Sequence, residues 1–154
     1  AQSLLRVHTL IMDDRCICTA LRQVAAQSTA HYDAMLAPSG IRVTMFRLLR
    51  RIEVVNSVTI TELAEIVGLD RSTLGRNLRV LEKQSLIAIA TKDDGRARRV
   101  SLTQTGREKL QQAVPLWREA QRKYLQIVSA DTLALLDQVI EHTATSKYTT
   151  GDDA

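Results

Sequence analysis

The stretch from Thr59 to Gln84 leaves its backbone few choices. Thr59 and Glu62 stand at capping-box spacing, so a helix opens directly after Thr59 and turns Leu63, Ala64 and Val67 to one side. Gly68 follows, and without a Cβ it adopts a left-handed conformation at little steric cost. Asp70 can then cap a second helix, on which Leu74, Leu78 and Leu81 recur at helical steps along one face. The opposite face carries Arg71, Ser72, Thr73, Arg76, Asn77 and Arg79. Two short helices joined by so tight a turn form a helix-turn-helix unit, in which the second helix presents a polar, basic surface.

Two strands follow, Ile87–Thr91 and Arg98–Leu102, set around Asp93-Asp94-Gly95-Arg96 as a hairpin. Upstream, Asp13 or Asp14 can cap a helix running to about Leu36, with Ile17, Leu21, Val24, Ser28, Tyr32 and Met35 spaced along one stripe. Pro38-Ser39-Gly40 ends it. A helix over roughly Thr44–Val54, a turn at Asn56-Ser57 and a minor strand at Val58–Ile60 lead into the unit already described. Downstream, Thr103 can cap a long helix to about Val128, with Leu110, Val114, Trp117, Gln121 and Tyr124 on one stripe and a bend expected at Pro115. Ser129 caps a last helix bearing Leu133, Leu136 and Ile140. Residues 1–12 read as an irregular or short helical arm, and the tail beyond Thr145 as frayed.

The expected fold is therefore mainly α with a small β hairpin: a winged helix-turn-helix domain over residues 41–103, flanked by helices in 1–40 and 104–145, with a polar tail at 146–154. Aromatic residues make up only 3% of the chain against 45% hydrophobic, so Leu, Ile, Val and Ala must fill the interior, which favours helix packed on helix. The formal charge is +4, and its distribution is uneven. Residues 70–109 hold ten Lys/Arg against five acids, a net of +5, which leaves −1 for the rest of the chain. Positive charge gathered on the outward helix and hairpin suits a phosphate backbone.

The side chains there fit duplex DNA. Arginine can donate a bidentate pair to guanine, and Asn77 can do the same for adenine. Ser72 and Thr73, at a helix start with backbone N–H groups to spare, can bond phosphate or bases. Thr59 and Thr61, near the start of the preceding helix, are candidate phosphate anchors. In the hairpin, Asp94 is expected to hold the turn and to orient Arg96 towards a minor groove. Arg98 and Arg99 alternate in direction, so at most one of them faces DNA with Arg96. A leucine-spaced helix with surface arginines is by itself an ordinary solvated helix. The turn, the hairpin and the charge segregation together point to DNA.

The order of elements, with Thr59-x-x-Glu62-Leu-Ala64, Gly68-Leu-Asp-Arg-Ser-Thr73, Asp94-x-Arg96 and Ser101-Leu-Thr-x-x-Gly106, resembles the MarR family of winged helix-turn-helix regulators from about Asp14 to His142. That resemblance implies a homodimer placing the helix from Asp70 to Gln84 in successive major grooves of a pseudo-palindromic operator, with the wings in flanking minor grooves. It implies a repressor relieved by a small-molecule effector, a phenolic or aromatic acid being one such class. The terminal helices would interlock in the dimer, with Leu4, Leu5, Val7, Leu10, Ile11, Leu133, Leu136 and Ile140 as candidate contacts. An effector cleft would draw on His31, Tyr32, Met35, Phe46 and Arg50, the last suited to a carboxylate. Phe46 and Met35 read equally well as core, and Arg50 as a solvated helix residue.

Cys16 and Cys18 point in different directions on a helix. Either is a small apolar filler or, across a dimer axis, an oxidation switch. His8, Cys16, Cys18 and His31 lack metal-ligand spacing and His142 stands alone, so neither metal nor cofactor is expected. Absence of a glycine-rich phosphate loop, an H-E-x-x-H and a nucleophile elbow argues against an enzyme. No apolar run approaches the roughly 20 residues that span a bilayer, and a reducing cytoplasm is the expected setting. The alternative function is an architectural protein that coats DNA with little sequence preference.

Overall fold

The computed structural model describes residues 16–91 and 98–145. The expectations for residues 1–12, for an Asp13 or Asp14 cap, for Asp94 and Arg96 in the hairpin and for the tail at 146–154 fall outside these residues. Among the described residues there are six helices and three strands: α1 (Ile17–Leu36), α2 (Val43–Val55), β1 (Val58–Thr59), α3 (Ile60–Val67), α4 (Arg71–Lys83), β2 (Ile87–Thr91), β3 (Arg98–Leu102), α5 (Gln104–Ile127) and α6 (Ala130–Thr145). A short 3-10 turn, Ala37–Ser39, separates α1 from α2. None of these helices is long and apolar enough to cross a membrane.

Two compact units divide the chain, Ala1–Ala120 and Gln121–Ala154. In the first, one apolar cluster gathers Leu36 at the end of α1, Phe46, Leu49 and Ile52 of α2, Leu63 and Val67 of α3, Leu74, Leu78 and Leu81 of α4, Val100 of β3 and Leu110 of α5. Helical spacing sets which residues of α3 and α4 enter it, as the sequence leads one to expect. The stripe expected on α1 is not a sealed face: Ile17, Leu21 and Val24 are exposed and Ser28, Tyr32 and Met35 half-buried, whereas Leu36, outside the stripe, is buried.

The strands form one antiparallel sheet in the order β1-β3-β2. Val100, at the centre, pairs with Val58 on one side and Ile89 on the other. Its burial pins the register, because a one-residue slip would turn Val100 to the opposite face.

Behind the sheet, the chain enters α5 through a tight junction. Thr103 Oγ1 accepts from the Gly106 N–H at 2.9 Å and donates to the Ser85 carbonyl at 2.6 Å. Gly106 lies so close to the Leu86 carbonyl that no Cβ fits between them. The buried face of α5 is made by Gly106, Leu110, Ala113 and Ala120, with Val114 and Trp117 only partly covered. Trp117 stacks on Phe46 with ring centroids 5.5 Å apart. The helix continues through Pro115, whose missing N–H leaves the carbonyl of solvent-exposed Gln111 to water.

In the second unit, Ser129 Oγ accepts from the Thr132 N–H and opens α6. Leu125, Ile127, Leu135, Val139 and Ile140 are all exposed.

Candidate nucleic-acid interface

The start of α3 is built by a complete capping box. Thr59 Oγ1 accepts from the Glu62 N–H at 3.2 Å, and Glu62 Oε2 accepts from the Thr59 N–H at 2.9 Å and from the Thr59 hydroxyl at 2.8 Å. These bonds hold the Glu62 carboxyl below its ordinary pKa, with the nearby Arg99 charge adding to the effect. The Thr59 hydroxyl proton is thus committed within the protein. Thr61 is placed otherwise: its hydroxyl accepts from Arg71 Nη2 at 3.2 Å, which leaves its own proton to donate outward.

At the end of α3, Gly68 takes the left-handed conformation (φ 64°, ψ 39°) that the turn requires. Arg47 of α2 reaches this turn and donates to the Val67 carbonyl at 2.7 Å. No sequence signal marks Arg47 for this task, since its partner lies twenty residues away.

Asp70 then caps α4. One carboxylate oxygen accepts from the Ser72 N–H at 3.0 Å, the Thr73 N–H at 2.9 Å and the Ser72 hydroxyl at 2.7 Å. The hydroxyl and N–H of Thr73, followed by those of Ser72, push the Asp70 pKa well below the usual carboxylate range. The N–H groups of Ser72 and Thr73, expected to be spare, are therefore already bonded. Leu74, Leu78 and Leu81 are buried, while Arg71, Ser72, Arg76 and Arg79 are exposed and Thr73 and Asn77 half-exposed. Arg76 Nη2 donates to Thr73 Oγ1 at 3.3 Å. Asn77 and Arg79 have no side-chain partner among the described residues.

The two arginines of β3 separate as alternation demands. Arg98 is exposed at the strand's outer end. Arg99 is half-buried and donates through Nε to Ser57 Oγ at 2.9 Å and through Nη2 to the Ser57 carbonyl at 2.6 Å.

The residues considered for an effector cleft do not share one environment. Phe46 belongs to the core. Arg50 is exposed and pairs with Glu53. His31 Nε2 bonds the Ala120 carbonyl at 3.0 Å, and its ring meets Tyr32 edge-on at 5.5 Å. Met35 is half-buried. A cavity of about 310 Å³ opens elsewhere, lined by Gly40, Arg42, Thr44, Met45 and Leu48 on one side and Asn77, Val80 and Gln84 of α4 on the other.

Cys16 and Cys18 are both exposed and unbridged. Cys16 occupies the N-cap of α1, and although no side-chain capping bond closes there, the hydroxyl and N–H of Thr19 one turn on lower its thiol pKa. Among the described residues, no group of three or more His, Cys, Asp or Glu is arranged to hold a metal ion.

The MarR family model matches residues 39–97, the segment that carries α2, the helix-turn-helix and the first part of the hairpin. Among solved structures, the Mycobacterium tuberculosis transcriptional regulator MosR, crystallised in complex with DNA, is 36% identical, with a TM-score of 0.72 over 84% of this chain and 98% of its own. A probable transcriptional regulator from Pseudomonas aeruginosa is 25% identical, with a TM-score of 0.73 over 86% of this chain and 98% of its own. A cysteine-to-serine mutant of Escherichia coli MarR, complexed with operator DNA, is 20% identical and shares the fold at a TM-score of 0.75 over 87% of this chain and 97% of its own. No curated protein sequence matches the chain. The match to the MarR family model and the identity to MosR over nearly the whole length of that protein establish that this chain belongs to the MarR family of winged helix-turn-helix, DNA-binding transcriptional regulators and is not an enzyme.

Proposed function

We propose that the protein acts as a homodimeric repressor whose two α4 helices enter successive major grooves of a pseudo-palindromic operator. The observation that carries this reading is the division of α4 into a sealed leucine face and a polar outer face bearing Arg71, Ser72, Thr73, Arg76, Asn77 and Arg79. Asn77 and Arg79 offer base-edge donors with no competing partner among the described residues, and Thr61 keeps a hydroxyl proton for phosphate. Arg96, which lies outside the described residues, and the exposed Arg98 extend the contact towards a minor groove in this reading.

Pairing is supported by apolar side chains on helices that precede and follow the reading head in sequence. Ile17, Leu21 and Val24 on α1, and Leu135, Val139 and Ile140 on α6, face solvent in the single chain. Half-site readers of this size work as pairs. The helices outside residues 41–103 are the dimerisation region in this reading.

Release of the operator is assigned to a small aromatic acid or to oxidation of Cys16 or Cys18. Exposure of both thiols and the lowered pKa of Cys16 support the second route.

Selection of bound sequences from a pool of random duplexes, followed by affinity measurement at fixed salt, tests the proposal. A two-fold repeated motif bound at least about a thousandfold more tightly than unrelated duplex is expected. A ratio near one would mark the architectural alternative instead. Repeating the assay with peroxide and with aromatic acids separates the two release routes.

A further inference from the structure

We infer that Arg99 is a positioning residue of the reading surface rather than one of its phosphate contacts, an inference that rests on the DNA-reading function proposed above. The side chain is half-buried, and its guanidinium fork spends two donors on one residue, Ser57 Oγ at 2.9 Å and the Ser57 carbonyl at 2.6 Å. Ser57 sits in the turn between α2 and β1, where Asn56 adopts a positive φ of 61° and the Ser57 N–H bonds the Val55 carbonyl at 2.7 Å. The backbone of Arg99 pairs with Thr59, the N-cap of α3. Its charge also reaches Glu62, which closes the capping box on Thr59.

One residue therefore ties three pieces together: the hairpin strand β3, the turn after α2, and the first turn of α3. Thr61 lies in that first turn, two residues beyond the Thr59–Arg99 pair. Arg99 sets the position of α3's DNA-facing end relative to the hairpin, while its neighbour Arg98 is left exposed as the strand's available cation. The planar fork matters here. A lysine ammonium is a point charge and cannot hold both Ser57 oxygens in a fixed geometry.

The test compares the full-length protein with Arg99→Ala and Arg99→Lys on the selected duplex over a range of salt concentrations. Arg99→Ala is expected to lower affinity about tenfold at fixed salt, the effect of losing charged hydrogen bonds that order a contact surface. The slope of log affinity against log salt should stay at the wild-type value. Arg99→Lys should keep that slope and recover only part of the affinity. A slope shallower by about 0.9 in Arg99→Ala, with full recovery by lysine, would show a phosphate contact and overturn the inference. So would unchanged affinity in both variants. Should Arg99→Ala not fold, Arg99→Lys decides alone: reduced affinity at an unchanged slope supports the positioning role, and wild-type affinity refutes it.

A readout independent of DNA separates this inference from the function beneath it. Amide exchange over residues 57–62 should quicken in Arg99→Lys, and the Glu62 carboxyl should titrate higher in Arg99→Ala. If no duplex binds the wild type, the functional proposal fails, and exchange still decides whether Arg99 holds the junction. Exchange equal to wild type means that it does not.

Discussion

Arg47 of α2 donates to the Val67 carbonyl, 2.7 Å away at the last residue of α3. The final carbonyls of a helix lack intrahelical partners and carry the negative end of its dipole. Here the N–H groups of Leu69 and Gly68 serve the carbonyls of Ala64 and Glu65, and the guanidinium of Arg47 serves that of Val67. The bond pins the turn between α3 and α4 to a helix outside the helix-turn-helix. Arg47→Met, which keeps the aliphatic stem, should cost about 1 kcal/mol, a low figure because the guanidinium remains in contact with water. Urea unfolding of Arg47→Met and Arg47→Lys checks this, with lysine recovering part of the loss.

A larger effect is expected at Gly106. A methyl group there would enter the space of the Leu86 carbonyl, which also accepts the Thr103 N–H at 3.2 Å and so cannot swing aside freely. Helix propensity alone would make Gly106→Ala stabilising by nearly 1 kcal/mol. The collision should reverse that sign and leave a net loss of about 1–3 kcal/mol, the range for overpacked interiors. Thermal unfolding measures it, and a stabilised variant would show that the junction yields.

Features set by local spacing were legible in the residues themselves. The Thr59–Glu62 box, the Gly68 turn, the Asp70 cap and the Leu74/Leu78/Leu81 face each depend on residues within one or two turns of one another. Contacts between distant residues were not. Nothing in the sequence joins Arg99 to Ser57, forty-two residues away, so Arg99 read as one of two interchangeable basic side chains. The same holds for Arg47 with Val67 and for Trp117 with Phe46. On α5 the expected stripe of large side chains is sealed only at Leu110, while the small residues Gly106, Ala113 and Ala120 are buried beside it, Gly106 against the Leu86 carbonyl. For the effector, Phe46 and Arg50 are one helical turn apart, yet one is core and the other is a solvated ion pair. Spacing alone does not decide which face of a half-exposed helix is inward.

Acid should loosen the reading head from its caps. Asp70 and Glu62 both have folded pKa values below their ordinary ones, so each stabilises the fold above its unfolded pKa, near 3.9 for Asp and 4.3 for Glu. That stabilisation is lost as pH falls through the folded values. A carboxyl NMR titration should find both midpoints below these references. In Glu62→Gln the stability deficit relative to wild type should shrink as pH is lowered below about 4. A deficit constant with pH would mean that the capping box does not depend on the ionised carboxylate.

The Cys16 thiol offers a test of local chemistry. Its pKa is lowered first by the Thr19 hydroxyl and then by the Thr19 N–H. Thr19→Val removes the hydroxyl while keeping side-chain shape and the N–H. The pH midpoint for alkylation of Cys16, followed by mass spectrometry, should rise in Thr19→Val without reaching the ordinary thiol value. An unmoved midpoint would place the cause in the backbone alone.

Arg76 bears most directly on base recognition. It lies on the outer face of α4, and its bond to Thr73 holds one arm of the guanidinium at 3.3 Å while its other donors remain available. An arginine pre-oriented in this way can present a bidentate pair to guanine O6 and N7, which a flexible cation resting on phosphate cannot do. Arg76→Ala should therefore weaken binding to the preferred duplex by about 1–3 kcal/mol and leave duplexes changed at a single position in each half-site almost unaffected. Competition with a panel of single-base operator variants reads this out position by position. An equal loss across the whole panel, with a shallower salt dependence, would assign Arg76 to the phosphate backbone and leave base readout to Asn77 and Arg79.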